Sequence, residues 1–338
     1  MPEMIKKVIY PRVGFLGNPS DGFGGKTISF PFKNFQAEVV LWPSEELKFL
    51  PNAEDQDEFT GIAELYRNTQ SQGYYGGIRL VKAAVSVFYR FCRKNKIKLA
   101  KKNFTISYRS NIPMQRGLAG SSAIIISSLR ALMDYYQISE EKIPAAILAN
   151  LALEAESCEL QIAAGLQDRV VQSFGLPVYM DFSPQAFVKN SQLYGEYQTF
   201  STKIFSPMVL VWLNKMSESG KVHSDVRNRF LVGDSRVVEA MLKFAAFAEE
   251  GFKALRSGDI EKVKKLMNAN FDLRRKIYGD SVIGTANIRM IEKCRRLGAA
   301  AKFSGSGGAA VVVAGDSKID AIIKTLIGAG YSAERIIL

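Results

Sequence analysis

Residues 113–123 read Pro-Met-Gln-Arg-Gly-Leu-Ala-Gly-Ser-Ser-Ala, and the adjoining run from Ala123 to Leu132 contains no helix breaker. A glycine and serine loop opening directly into a helix points several backbone N–H groups, and the positive end of the helix dipole, at one place. That is an anion site made of main chain, and a nucleotide phosphate suits it. The competing reading is a glycine-softened helix start capped by serine. The loop has no lysine of the P-loop kind, so backbone would hold the phosphates and a serine hydroxyl would be left for a metal.

Two other glycine stretches compete for this chemistry. Ser20-Asp21-Gly22-Phe23-Gly24-Gly25-Lys26-Thr27 imitates a P-loop, but serine stands at its first glycine, and Pro31 arrives where a helix is needed. Lys302-Phe303-Ser304-Gly305-Ser306-Gly307-Gly308-Ala309-Ala310 imitates a dinucleotide fingerprint. The run Ala309-Ala310-Val311-Val312-Val313 that ends it is of β type, whereas a pyrophosphate there needs a helix N-terminus. A glycine turn between two strands still lets main chain approach a phosphate closely.

The single histidine, His223, leaves no histidine triad or histidine-rich metal site, and is read as structural. Proton transfer then falls to carboxylates, lysine or tyrosine. Cys92, Cys158 and Cys294 lie far apart and form no CxxC pair, which argues for a reducing compartment and against structural zinc. Lys and Arg number 45 against 33 Asp and Glu, so the net charge is +12, spread along the chain with clusters at 93–96, 101–102 and 274–276. Such a field favours nucleotides or acidic metabolites. Nucleic acid is not an expected partner, because no zinc-finger spacing, basic zipper or RNA-binding aromatic signature is visible. A membrane is not expected either. No apolar run approaches a span, and Pro11, Arg12 and Gly14 interrupt the apolar stretch beyond Lys6 and Lys7, which makes a poor signal peptide. The expected location is the cytoplasm.

Hydrophobic periodicity supplies the elements that must hold these loops. Strands are expected over 8–16, 27–30, 37–42, 104–108, 177–182, 208–213, 300–303, 309–314 and 333–338. Helices are expected after Gly77, from Ala123, from a Ser139 cap through Glu156, and over 237–254, 260–275, 288–297 and 319–327. A chain of 338 residues with 47% hydrophobic content can build two domains of ordinary size. The polar, unperiodic stretch 183–202 is the expected junction, giving domains 1–200 and 201–338. Strands and helices segregate loosely instead of alternating, so the expected class is α+β.

In chain order, residues 11–21 (Pro-Arg-Val-Gly-Phe-Leu-Gly-Asn-Pro-Ser-Asp), Gly117 to Ala123, Ala164-Gly165-Leu166-Gln167-Asp168-Arg169 and Lys302 to Ala309 resemble the motifs of the GHMP kinases. That family is named for galacto-, homoserine, mevalonate and phosphomevalonate kinases. Four motifs in order through nearly the whole chain are specific where one would be weak. Longer stretches are similar to the branch of the family that phosphorylates D-glucuronate. Among them are Gly24 to Phe30, Gly73-Tyr74-Tyr75-Gly76-Gly77, 219–224 and Phe271-Asp272-Leu273-Arg274-Arg275.

The resemblance implies an N-terminal domain like a ribosomal-protein fold, a ferredoxin-like C-terminal domain, ATP as donor and Mg²⁺ as its companion. It places the nucleotide on Pro113, Gly117, Leu118, Ala119, Gly120, Ser121, Ser122 and Ala123, and on Gly305 and Gly307. Asp168 matches the catalytic base, although a surface pair of Asp168 with Arg169 is the plainer reading. Ser121, better than Ser122, matches the metal's hydroxyl, and Glu156 its carboxylate; with Glu154 and Glu159 as neighbours, a charged helix face is the alternative. Arg12 matches a cation near the transferring phosphate, or is a solvated strand end.

Asp21 matches a carboxylate that accepts hydrogen bonds from sugar hydroxyls, and Asn18 the place where galactokinases carry a glutamate near C6. A uronate bears its carboxylate there, which glutamate would repel and a neutral amide would not. The same residues are also rich in turn formers. Tyr74, Tyr75 and Arg169 are further candidates for the sugar pocket. Two departures stand out. Ala119 replaces a glycine of many relatives, which is tolerable if its φ is negative. Arg116 lies one residue before Gly117, while Met114 occupies the place of an expected cation, which leaves the partner of the carboxylate open.

The implied reaction transfers the γ-phosphate of ATP to the anomeric hydroxyl of D-glucuronate, giving α-D-glucuronate 1-phosphate and ADP. The alternatives are another acceptor on the same fold (galacturonate, a heptose phosphate or a neutral hexose) or a non-catalytic nucleotide-binding relative.

Overall fold

The computed structural model describes residues 4–52, 55, 59–66, 76–214 and 223–338. The chain forms two compact units interleaved along the sequence. The first draws on the chain up to Pro11, on Phe35–Met114 and on Ala119–Gly175; the second on Arg12–Asn34, Gln115–Leu118 and Leu176–Leu338.

In the first unit, β1 (Ile5–Ile9), β4 (Ala37–Ser44), β6 (Asn103–Ser110) and β5 (Lys48–Leu50) form a sheet in the order β1-β4-β6-β5. Only β5 pairs parallel within it. Its helices are α1 (Ile78–Lys94), α2 (Gly120–Tyr135), α3 (Ala145–Glu154), which runs into a π-helical turn at Ala155–Glu159, and α4 (Leu166–Phe174). Leu80, Val81, Ala84, Val87 and Phe88 form the buried stripe of α1. The α2 helix is buried nearly all round, with Ile124, Ile125, Ile126, Leu129 and Leu132 inside, because β1 and β4 cover one side and α1 another. A fully covered helix has no need of a polar face, which explains its unbroken apolar sequence.

In the second unit, β2 (Arg12–Leu16), β3 (Lys26–Pro31), β7 (Val178–Asp181) and β8 (Glu196–Thr199) make one antiparallel sheet. β9 (Met208–Trp212), β10 (Ala300–Phe303), β11 (Ala309–Val313) and β12 (Ser332–Arg335) make another, in the order β10-β11-β9-β12. The helices are α5 (Pro184–Lys189), α6 (His223–Leu231), α7 (Ser235–Ser257), α8 (Ile260–Tyr278), α9 (Asp280–Ile283), α10 (Thr285–Arg296) and α11 (Ile319–Gly328). β11 lies between β10 and β9 and is buried throughout, so its sequence does not alternate. Val209, Val211, Phe244, Phe271, Phe303 and Val312 belong to this unit's core, where Phe271 meets Phe303 edge to face at 5.3 Å. Among the described residues no helix is long and apolar enough to cross a membrane.

Several expected elements differ. The strand expected over 8–16 is two strands in two sheets, broken at Tyr10 and Pro11, where proline offers no ladder N–H. The helix expected from a Ser139 cap begins instead at Ala145, directly after Pro144, and Ser139 closes only a turn with Lys142 and Ile143. The stretch 183–202 contains α5 and the edge strand β8. The last strand is shorter than expected, and α4 and α6 lie where no helix was expected.

Candidate active site

The glycine loop opens α2 as expected, and no side chain caps that helix. The first-turn N–H groups of a helix have no partner within it, so this end offers donors to an anion. Ala119 does not meet the condition of a negative φ under which alanine was to be tolerated: it sits at φ 65°, ψ 42°, in the left-handed region. The surrounding bonds hold it there. Its carbonyl accepts from Ala123 N at 3.2 Å and from Gln172 Nε2 at 2.9 Å. An L-residue in this region is strained by about 1–2 kcal/mol. Ala119→Gly is therefore expected to raise the unfolding free energy by about 1 kcal/mol after the extra unfolded-state entropy of glycine is subtracted. A higher midpoint in urea unfolding is the expected reading. A lower one would show that the methyl group's contacts outweigh the strain.

The two serines of the loop are used differently. Ser122 is fully buried, and its hydroxyl donates to Gln172 Oε1 at 2.6 Å, while Gln172 Nε2 also donates to Tyr10 O at 2.9 Å. Ser121 donates instead to Glu156 Oε1 at 2.6 Å. Glu156 lies on the π-helical turn and is fully buried. Its Oε2 accepts from the Arg169 guanidinium through both Nε and Nη2. Arg169 Nη1 donates to Gly165 O at 2.8 Å and lies 3.4 Å from Asp168 Oδ2. The plainer reading of Asp168 with Arg169 is thus partly realised, but in a half-buried setting: the Asp168 side chain keeps 20% of its surface. Asp168 falls in the first turn of α4, where the helix dipole favours a carboxylate. Gly165 and Gly175 bracket that helix. Those glycines, with Val170, Val171 and Phe174 at helical spacing, were its readable signal.

The donor set of Ser121 and Glu156 is hard oxygen, and among the described residues there is no cluster of three or more His, Cys, Asp or Glu side chains able to cage a metal. Mg²⁺ on a nucleotide suits such a place, since it takes one or two protein oxygens and completes its shell with phosphates and water.

In the second unit the two glycine loops touch through their main chains. Arg12 is 4% exposed, so it is not a solvated strand end, and its Nη1 donates to Gly117 O at 2.7 Å and Ser304 O at 3.2 Å. Gly117 has φ 63°, and a Cβ there would come within 2.8 Å of Ser306 N. A Cβ on Gly305 would lie 2.2 Å from Gly117 O. Both must be glycine for the backbones to approach this closely. Gly307, at φ 139°, lies in the turn between β10 and β11 that the sequence indicated. Arg116 is buried and donates to Asn214 O at 3.2 Å; burial pushes its guanidinium below the ordinary arginine range. Leu118 is buried, and Pro113, at the start of the loop, is half-buried.

Asn18 precedes a short helical turn, Ser20–Phe23, and Asp21 lies in its first turn. Asn18 is 4% exposed, and its Oδ1 accepts from Lys302 Nζ at 2.7 Å. Asn270 fixes the backbone beside it, accepting from Gly17 N at 2.9 Å and donating to Asn18 O at 3.0 Å. Half-buried Asp21 acts electrostatically on Arg274 and Tyr278. Burial lowers the Arg274 guanidinium below its ordinary range and raises the Tyr278 phenol. Lys302, Arg274, Asn270 and Gln172 were not singled out from sequence. Arg274 stood in a basic cluster read only as part of a diffuse positive field, yet it is buried between Tyr278 and Phe303. Tyr74 and Tyr75 lie outside the described residues. His223 begins α6. The imitation P-loop is a single helical turn leading into β3, with a strand where a P-loop needs an α-helix.

Two family models match the chain: "GHMP kinases N terminal domain" over residues 79–176 and "GHMP kinases C terminal" over 252–332. Glucuronokinase 1 of Arabidopsis thaliana is 44% identical over 328 residues, covering 96% of this chain and 90% of the plant protein. Probable glucuronokinase 2 of the same plant is 47% identical over 305 residues, covering 90% and 82%. The structure of Lactococcus lactis galactokinase complexed with galactose superimposes with a TM-score of 0.76 at 15% identity, covering 99% of this chain and 94% of that one. At such identity the likeness establishes the fold. The two family models and the plant relatives at 44% and 47% identity define an ATP-dependent sugar kinase. The chain belongs to the GHMP kinase family.

Proposed function

We propose that this chain is an ATP- and Mg²⁺-dependent sugar-1-kinase that acts on D-glucuronate, giving α-D-glucuronate 1-phosphate and ADP. The observation that carries the reading is 44% identity to Arabidopsis Glucuronokinase 1 across 96% of the chain. In this reading the loop from Pro113 to Ala123 wraps the triphosphate with main-chain N–H groups, and Gly305 and Gly307 lend close backbone approach. Asp168 accepts the proton of the anomeric hydroxyl, whose oxygen forms a bond to the γ-phosphorus as the bond to the β–γ bridging oxygen breaks and ADP leaves. Arg12 stabilises the charge gathered on the transferring group.

Ser121 and Glu156 would hold Mg²⁺, which when bound neutralises phosphate charge and orients the γ-group. Arg169 keeps the Glu156 carboxylate and Asp168 in place, whatever it adds to the sugar pocket. Asn18 and Asp21, with Tyr74 and Tyr75, are the candidates for holding the sugar. The partners are then two anionic small molecules and neither nucleic acid nor membrane. The proposed setting is the cytoplasm, and the proposed division is an ATP-binding part over 1–200 and a C-terminal part over 201–338.

Coupled ADP release over a panel of glucuronate, galacturonate, a heptose phosphate and galactose tests the substrate. The expected result is the highest kcat/KM on glucuronate. Faster turnover of galactose would overturn the choice.

A further inference from the structure

Lys302 is 1% exposed, and its ammonium is satisfied entirely by neutral oxygens. Gly14 O, Asn18 Oδ1 and Phe303 O each lie 2.7 Å from Nζ. An ammonium has three donors and no acceptor, so only the oxygen edge of the Asn18 amide can face it. The Nδ2 edge, with two N–H donors, is turned the other way. Asn270 clamps the backbone on both sides of the residue, so the side chain has a fixed base from which to point.

The surroundings of Lys302 are cationic as well. Burial, with Arg274 and Arg12 close by, pushes its ammonium well below the ordinary lysine range, while three oxygens at 2.7 Å, each accepting an N–H, favour the charged form. The oxygen partners of Arg274 are main chain too, Gly305 O at 2.7 Å and Ser306 O at 3.2 Å. Burying such a charge against neutral partners is unfavourable for folding alone, because desolvation is only partly offset by hydrogen bonds. A built-in positive field behind an amide edge of donors is suited to an anionic group.

We infer that Lys302 is the positioning residue for acid-sugar selectivity: it locks the Asn18 amide so that N–H donors, not the carbonyl oxygen, meet the carboxylate at C6 of the sugar. This rests on the glucuronate reading above. Without the ammonium, the amide is free to turn over, donating from Nδ2 to the vacated carbonyl of Gly14 or Phe303. Its oxygen would then face the carboxylate and repel it.

The test is kcat/KM for D-glucuronate and for D-glucose, which differs only in carrying a neutral group at C6. Both are measured on the wild type, Lys302→Met, Asn18→Ala, the double variant and Asn18→Asp. The wild type should prefer glucuronate. Lys302→Met and Asn18→Ala should each lower the acid-to-neutral ratio about tenfold to a hundredfold, mainly through KM for glucuronate, the size of one charge-assisted hydrogen bond. The double variant should fall no further, because both changes remove one device. Asn18→Asp should lose glucuronate most, and it decides the matter if Lys302→Met does not fold.

A merely structural role for Lys302 would lower both substrates alike. An unchanged ratio in Lys302→Met, an additive double variant, or an unchanged ratio in Asn18→Asp would overturn the inference while leaving the substrate reading intact. A wild type that prefers glucose would overturn the substrate reading itself.

Discussion

Asp168→Asn should lower kcat about 10²–10⁴-fold, the range of a lost general base, while ATP still binds. The substitution keeps size and most hydrogen bonding. What it removes is the capacity to accept the proton of an attacking hydroxyl. Asp168 sits in the first turn of α4, so losing its charge costs the helix only about 0.3–1 kcal/mol. The fold should therefore survive, and the loss can be read as chemistry. ADP release measures turnover, and calorimetric titration with ATP measures binding. Turnover within twofold of wild type would remove Asp168 from the role of base. A wild type that binds ATP without turnover would identify a binding protein and not a kinase.

The second large effect is expected at the pair of Ser121 and Glu156. Glu156→Gln removes a fully buried carboxylate from both the Ser121 hydroxyl and the Arg169 guanidinium. The Mg²⁺ concentration for half-maximal turnover should rise about tenfold to a hundredfold or more, as when metal-site oxygens or their partners are lost. Stability should fall by about 3 kcal/mol, because a buried guanidinium is left without its main counter-charge. Ser121→Ala separates the two consequences. It leaves the pair of Glu156 with Arg169 in place, so it should raise the Mg²⁺ requirement with little change in urea unfolding. A Mg²⁺ requirement unchanged in both variants would contradict the assignment of these oxygens to the metal.

The parts of this site that are local in sequence were legible, and those made by long-range contact were not. The loop from Gly117 to Ala123 and its helix could be read directly, since glycine, serine and an apolar run fix a local geometry. The rejection of residues 20–27 as a P-loop held for an equally local reason, Pro31 and the strand it belongs to. By contrast, the left-handed φ of Ala119 depends on Gln172, fifty-three positions away, whose amide holds the Ala119 carbonyl. The resemblance preferred Ser121 to Ser122 without excluding the latter; that Glu156 holds one hydroxyl and Gln172 the other is a long-range difference that two adjacent identical residues do not show.

Charge misled where burial decides. Lys302 and Arg274 counted toward a diffuse positive field, yet both are buried, whereas neighbouring Arg275 is a partly exposed ion-pair partner of Asp280. The strand expected over 8–16 failed for a related reason. Its apolar residues are all buried or half-buried, but they face two sheets, and only Pro11 marked the division.

Phosphorus and proton NMR of the product formed from ATP and D-glucuronate tests the central claim most directly. The expected outcome is ADP together with a new phosphate monoester whose phosphorus couples to the anomeric proton in the α configuration. Phosphorus coupled to any other sugar proton, or ADP accompanied only by inorganic phosphate, would contradict it.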